Sequence, residues 1–390
     1  MTLFGGADLG YRSVSSGDNK FSGMSQDGLY SSRFGVMGTE DLGGGLKAGF
    51  HFEGGMAPDV GTSSKFDFQR KSTIGLSGGF GEVRLGRDYT PLFTIAGIAD
   101  PFGTNGVGSA YNVANGVTLS SGTGNAANDA YIAKVLAAGS SFVTAQAASV
   151  AGAGAAKLAD GIAIADPNAV RANNSVAYYS PNFNGFNAGL MYSFGSENTS
   201  LAKKANSMTS LKLAYANGPL TVAYGNQVTK GGGAGANAAI AAGTNALLYP
   251  AIPAGAIVAT DNQKYTTNFL AGSYDLGVAK LSAGYKTDKV DFGGAQVSGT
   301  FKSTILGVSA PFGATTVKAS YVSRKADGQK VGNQFALGAV HDLSKRTSVY
   351  GTYSALKNQA NFGNSVGSAA ASDFTGVKSK GFEAGIKHTF

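Results

Sequence analysis

The sequence predicts an all-β chain closed into an antiparallel transmembrane β-barrel of about 16 strands. Three observations carry this. Short stretches with apolar residues at every second position recur through most of the 390 residues. No run of about 18 or more consecutive apolar residues occurs, which excludes helical membrane spans. Short glycine-rich connections alternate with long polar ones, a segregation that a water-soluble sandwich has no reason to adopt.

Composition agrees. Charged residues make up only 14% of the chain, against about a quarter in ordinary soluble domains. Glycine is abundant at 59, with 23 Phe, 17 Tyr and no Trp, and mean hydropathy is -0.01. Weakly apolar strands with aromatic accents suit a wall with lipid on one side and water on the other. The absence of cysteine excludes disulfides and thiolate metal sites. The net charge of +8 is carried by basic residues spread singly rather than in runs. That argues against a nucleic-acid partner and assigns the excess to a lumen. No signal peptide is visible, and Met1 directly precedes a strand, so the chain reads as a mature sequence.

The first strand is expected at residues 2–12, with Leu3, Ala7 and Leu9 on one face and Asp8 and Arg12 on the other. The second, 31–42, turns at Gly43-Gly44-Gly45 into the third, 46–55. There Leu46, Ala48, Phe50 and Phe52 point outward, and Lys47, His51 and Glu53 inward. The fourth, 68–77, turns at residues 78–81 into the fifth, 82–89. Further along, Phe186, Ala188, Leu190, Tyr192 and Phe194 share one face, as do Leu211, Leu213 and Tyr215. Asn217-Gly218-Pro219 is a tight connection to Leu220, Val222 and Tyr224. Lys280 opposes Leu281 and Ala283; Lys318 opposes Val317 and Ala319. Around 265–274 and 301–312 both faces hold apolar residues, so alternation gives no parity. In the last strand Phe382, Ala384, Ile386 and the terminal Phe390 share the outer face.

Short turns are expected near 43, 79, 183, 218, 276, 313 and 344. Long connections are expected at 13–30, 57–67, 90–173, 196–207, 229–263, 288–299, 324–330 and 357–377. In the longest, Asn128 is placed to cap a short helix over 129–138, and the Ala/Gly-rich part from 145 to 165 reads as helical or unstructured.

The segment from Ser31 through Thr39-Glu40-Asp41-Leu42 to Ala48 resembles the general diffusion porins of Gram-negative bacteria, most closely their beta-proteobacterial and neisserial branch. Gly75-Leu76-Ser77-Gly78, Leu85-Gly86-Arg87-Asp88-Tyr89, Ser180-Pro181-Asn182-Phe183, Thr2-Leu3-Phe4-Gly5 and Phe390 carry the same resemblance, which covers nearly the whole chain. It implies one porin domain over 1–390, a 16-stranded barrel with short periplasmic turns and long extracellular loops, and a homotrimer in the outer membrane. Outer-membrane lipid, lipopolysaccharide, small hydrophilic solutes and inorganic ions are the implied partners, and no cofactor is expected. The third long loop is implied to fold inward and narrow the pore. Two of the family's wall arginines correspond to Arg33 and Arg70, while a third wall position corresponds to Gly6 and lacks its charge. Alternation adds Lys47 and Arg84, with Lys280, Lys318 and Arg324 as further candidates. Asp100 is the acid expected on the inward loop, around Ala99-Asp100-Pro101-Phe102-Gly103. Arg87 shares a face with Leu85, points outward, and corresponds to a subunit contact in the family.

These readings predict a water-filled channel with a modest anion preference. A solute-specific channel, with a site built by the long third loop, is the alternative. An outer-membrane hydrolase is disfavoured: His51, His341 and His388 are far apart, and no G-x-S-x-G element appears. A soluble adhesive β-protein would dissolve without detergent.

Overall fold

The computed structural model describes residues 1–61, 67–115, 117–120, 143–146, 161–164, 166–195, 206–231, 263–291, 298–359, 362–367 and 376–390. The expected helix at 129–138 and its cap Asn128 lie outside the described residues.

A single antiparallel sheet closes on itself. Its strands are β1 (Thr2–Ser16), β2 (Asn19–Gln26), β3 (Arg33–Gly43), β4 (Leu46–Gly55), β5 (Lys71–Gly78) and β6 (Gly81–Tyr89). Short helices follow: a 3-10 turn (Phe93–Ile95), α1 (Ala96–Ala99) and α2 (Tyr111–Ala114). Next come the short strands β7 (Val117–Ser120), β8 (Val143–Gln146) and β9 (Gly161–Ile164). The barrel resumes with β10 (Arg171–Tyr179), β11 (Phe186–Ser193), β12 (Met208–Asn217), β13 (Leu220–Lys230), β14 (Lys264–Asp275) and β15 (Lys280–Asp291). It ends with β16 (Ser298–Phe312), β17 (Thr315–Ala326), β18 (Gln329–Asp342), β19 (Thr347–Asn358), the two-residue β20 (Phe362–Gly363) and β21 (Lys378–Thr389). β6 pairs with β10 across the third loop, and β1 pairs with β21 from Gly6↔Thr389 to Ser16↔Ser379. Closing β1 on β21 lets the staves satisfy one another's backbone donors and acceptors, as a wall in lipid requires.

The sheet counts 17 segments but only 16 staves, because β2 and β3 share one edge of β1. Residues 27–32 between them turn inward. Buried Asp8 holds them: its Oδ2 accepts the N–H of Leu29 and of Tyr30 at 2.7 and 2.6 Å, and its Oδ1 accepts the Tyr350 hydroxyl at 2.6 Å.

Two expected long loops are corrected. Residues 13–30 are mostly strand: β1 and β2 form a hairpin that turns between Ser16 and Asn19. Residues 324–330 are a hairpin too, with Ala326 opposite Gln329 and Asp327 and Gly328 at φ 46 and 85. A two-residue turn of that kind needs positive φ at both positions, which Asp-Gly tolerates. Of the stretch 145–165, expected as helical or unstructured, the described residues 145–146 and 161–164 are strand, and the remainder lies outside the described residues. β7, β8 and β9 join β20 in a separate four-stranded sheet.

Alternation gives the correct faces. Leu190, Leu213, Leu281 and Phe382 are each about half exposed, as lipid-facing residues are in an isolated barrel. The two strands without readable parity have a physical explanation. Inward-facing Tyr265, Phe269, Phe301 and Ile305 are buried, because the third loop covers that part of the inner wall. Both faces are therefore dry, one against lipid and one against protein. Leu92, Ile95, Ala99, Val107, Ala110 and Val113 of the loop form one apolar cluster with wall residues including Phe269, Ile305 and Val322. Inward glycines make the trough: a Cβ on Gly225 would sit 2.6 Å from Ile95, and one on Gly284 2.7 Å from the Ala99 methyl.

Candidate functional site

The third loop is a belt along the inner wall, and its backbone is held by wall side chains in sequence. The Leu92 N–H donates to Ser210 Oγ (β12) at 3.1 Å. The Ala99 carbonyl accepts Ser282 Oγ (β15) at 2.9 Å, and the Ala114 carbonyl accepts Lys286 Nζ (β15) at 3.1 Å. Arg324 (β17) donates to the Val113 carbonyl at 3.4 Å, and Gln334 (β18) donates to those of Gly108 and Ser109 at 3.2 and 3.0 Å. The Val107 N–H donates to Glu383 (β21) at 3.0 Å, and Glu383 also pairs with Arg12 at 2.9 Å. The tip meets the inward segment, where Ser31 donates to Asn105 Oδ1 at 3.1 Å. Beneath the belt, fully buried Asp288 joins Lys286 at 2.9 Å and Arg324 at 3.1 Å.

The uncovered inner wall belongs to β3, β4, β5, β6 and the start of β10. Glu53 sits at its centre. Its Oε1 lies 2.7 Å from Arg70 Nε and 3.5 Å from Arg33 Nη1, and its Oε2 lies 3.6 Å from His51. Arg70 Nη2 donates to the Tyr89 hydroxyl at 2.8 Å, and Arg171 Nη2 donates to the same oxygen at 2.5 Å. Arg171 lies over the Tyr89 ring, 4.2 Å from its centroid, and Arg33 over Tyr30 at 4.1 Å. Two guanidiniums thus contact one carboxylate, and a third joins them through the Tyr89 hydroxyl. Next to them lies a balanced group. Arg84 grips Glu82 with two hydrogen bonds of 2.7 and 2.8 Å, and both Arg84 and Lys71 reach Asp88, at 3.0 and 3.3 Å. A recess of about 350 Å³ opens beside it, lined by Met37, Thr39, His51, Lys71, Thr73 and Arg84 among others.

The expected site residues therefore separate. Arg33 and Arg70 converge, and Arg84 is in the adjoining balanced group. Lys47 faces inward but lies exposed beside the Gly43–Gly45 turn, six residues along β4 from Glu53. That is about 20 Å at the usual strand rise, so it is a rim charge and not part of the cluster. Asp100 is corrected: it is 3% exposed and turned into its own loop, accepting the N–H of Phe102, Thr104 and Ala110 at 2.9, 3.2 and 2.8 Å. Burial pushes its carboxyl above the ordinary range, and the three N–H donors pull the other way. It shapes the loop instead of facing the lumen. Arg324 is corrected likewise, being fully buried under the belt. Lys318 is half-buried within electrostatic reach of Asp100, and Lys280 is exposed at its strand end. Arg87 is half-buried and donates to the Gln69 carbonyl and to Asn173 Oδ1.

Sequence reading missed Arg171, Tyr89 and the central role of Glu53. Arg171 opens β10 directly after the long insertion, and only the alternation of Ser175, Ala177 and Tyr179 with Val176 and Tyr178 signals a strand there. It supplies a third guanidinium, where Gly6 offers none.

A scan of known families matches residues 1–361 to the Gram-negative porin model. The chain belongs to the Gram-negative porin family. It is 35% identical to outer membrane porin protein 32 of Delftia acidovorans over 100% of this chain and 94% of that protein. An outer membrane porin of Bordetella pertussis is 28% identical over 92% of this chain and 89% of its own length. Among solved structures, the anion-selective porin from Comamonas acidovorans superposes with a TM-score of 0.71 at 32% identity, covering 100% of this chain and 99% of its own. The trimer form of OmpT from Vibrio cholerae shares the fold at a TM-score of 0.58 and 15% identity, over 100% and 98%. This porin is a multi-pass outer-membrane protein that forms a passive channel and is not an enzyme.

The hydroxyl of Tyr89 keeps two like charges apart at fixed spacing. We predict that Tyr89→Phe leaves folding intact, since the ring keeps its 5.4 Å stack on Phe93. The two guanidiniums lose their shared acceptor, and the chloride-over-potassium permeability ratio falls roughly twofold. Reversal potentials of the variant and the parent decide it; an unchanged ratio refutes a positioning role for the hydroxyl.

Proposed function

We propose that the pore admits small hydrophilic solutes and inorganic ions with a modest preference for anions. The observation that carries this is the charge count at the uncovered wall: Arg33, Arg70 and Arg171 against Glu53 and, within electrostatic reach of Arg70, Asp27, next to a group whose charges cancel. A unit charge at ~4 Å is worth about 1 kcal/mol in water and about 4 at an effective dielectric of 20. The uncompensated guanidinium charge biases which ion enters without holding it. The net charge of +8 and the description of the Comamonas acidovorans neighbour as anion-selective support the same reading.

The pore works as a homotrimer embedded among outer-membrane lipid and lipopolysaccharide. The trimer form of the Vibrio cholerae neighbour supports the assembly, and the outward-facing Arg87 is its proposed subunit contact. The test of ion preference is the reversal potential of the reconstituted channel in a potassium chloride gradient. Its sign is expected to report anion excess, most strongly at low salt, where screening is weak. A clear cation preference overturns the proposal.

A further inference from the structure

Two of the three guanidiniums at the uncovered wall are backed by tyrosine rings, Arg33 on Tyr30 and Arg171 on Tyr89. Tyr89 continues into an aromatic column. Its ring stacks on Phe93 with an interplanar angle of 8°, and Phe93 meets Tyr111 edge to face at 5.8 Å. Phe93 is half-buried where the belt leaves the wall, so the column stands at the border between loop and lumen. A guanidinium resting on a ring by one face offers two things to a solute. Its in-plane N–H groups match a carboxylate, and its other face matches a flat π-system. The acids are too few to occupy those donors: Glu53 touches Arg70 and Arg33, Asp27 lies within electrostatic reach of Arg70, and Arg171 has a tyrosine hydroxyl, not an acid, as its hydrogen-bond partner.

From this juxtaposition we propose that the constriction is a binding subsite for small aromatic carboxylates. Arg70 and Arg171 take the carboxylate. The arene lies against Phe93 or the free face of a tyrosine-backed guanidinium. An aliphatic acid of equal charge and size gains the first contact but not the second. The inference rests on the anion-preferring reading above and deepens it.

The test uses the reconstituted wild-type channel and two probes, benzoate and cyclohexanecarboxylate. These carry one carboxylate on a six-membered ring, flat in one and puckered in the other. Benzoate is expected to reduce the chloride current saturably, at a concentration about three- to tenfold lower than cyclohexanecarboxylate, the range that one planar contact provides. Phe93→Leu and Tyr30→Leu, each checked for the heat-modifiable mobility of a folded barrel, are expected to narrow that ratio. Equal effects of the two acids on a channel that still prefers chloride overturn this subsite and leave the anion preference standing. A channel that prefers potassium overturns the anion reading and the subsite with it. A block that is equally flat-selective in both leucine variants moves the site off these rings and also refutes the proposal.

Discussion

In a salt gradient, the channel in which Arg70 and Arg171 are both replaced by glutamine is expected to pass chloride and potassium about equally. The two changes leave Arg33 and Glu53, 3.5 Å apart, as a neutral pair at the uncovered wall. The neighbouring set of Lys71, Arg84, Glu82 and Asp88 already cancels. Among the described residues, the belt's backbone is held by side chains of β12, β15, β17, β18 and β21, and neither arginine hydrogen-bonds to it. The pore therefore keeps its shape while losing about two unit charges, several kcal/mol of bias at the effective dielectric of a narrow wet lumen. Glu53→Gln is the opposing control and should raise the anion preference, because it removes the acid in direct contact with Arg33 and Arg70. Chloride preference that survives the double replacement would place selectivity elsewhere along the lumen.

The second large effect concerns the belt itself. Asp288→Ala strips the shared counter-charge from Lys286 and Arg324, both buried against the loop. Removing one partner from a buried ionic group typically costs about 3–5 kcal/mol, because the remaining charge is left dry and unpaired. The easiest relief is for the loop to lift and let water in, which also releases the Val113 and Ala114 carbonyls. Single-channel recordings should then show larger conductance with frequent excursions, and the melting temperature should fall. Replacing the whole group by apolar residues (Lys286→Met, Asp288→Leu, Arg324→Met) should restore quiet channels, since a dry apolar cluster asks for no counter-charge. Quiet recordings from Asp288→Ala would show that the apolar cluster alone seats the loop.

How much of this was legible beforehand follows from where each side of a strand ends up. Strands with water inside and lipid outside announce themselves, as Lys47, His51 and Glu53 do against Ala48, Phe50 and Phe52. β14 and β16 hide their parity because the belt makes their inner face as dry as their outer one. The hairpins at 16–19 and 326–329 were obscured by polar residues, which suit a loop and an exposed strand equally well. Asp100 was legible as an acid on the inward loop, but its direction was not: three nearby N–H donors turn the carboxylate back on its own chain. Arg171 was lost because a long insertion separates it from β6, the strand it pairs with. No pattern of spacing signals that Tyr89 bridges two arginines; only closing the sheet brings β5, β6 and β10 side by side.

The strands that carry the belt and the strands that carry the uncovered charges are nearly separate sets, joined chiefly where Tyr89 touches Phe93. Scaffold and filter can thus change independently over evolutionary time. Substitutions on β3 to β6 are free to retune which solutes a bacterium admits, while the far half of the wall goes on holding the aperture at one width.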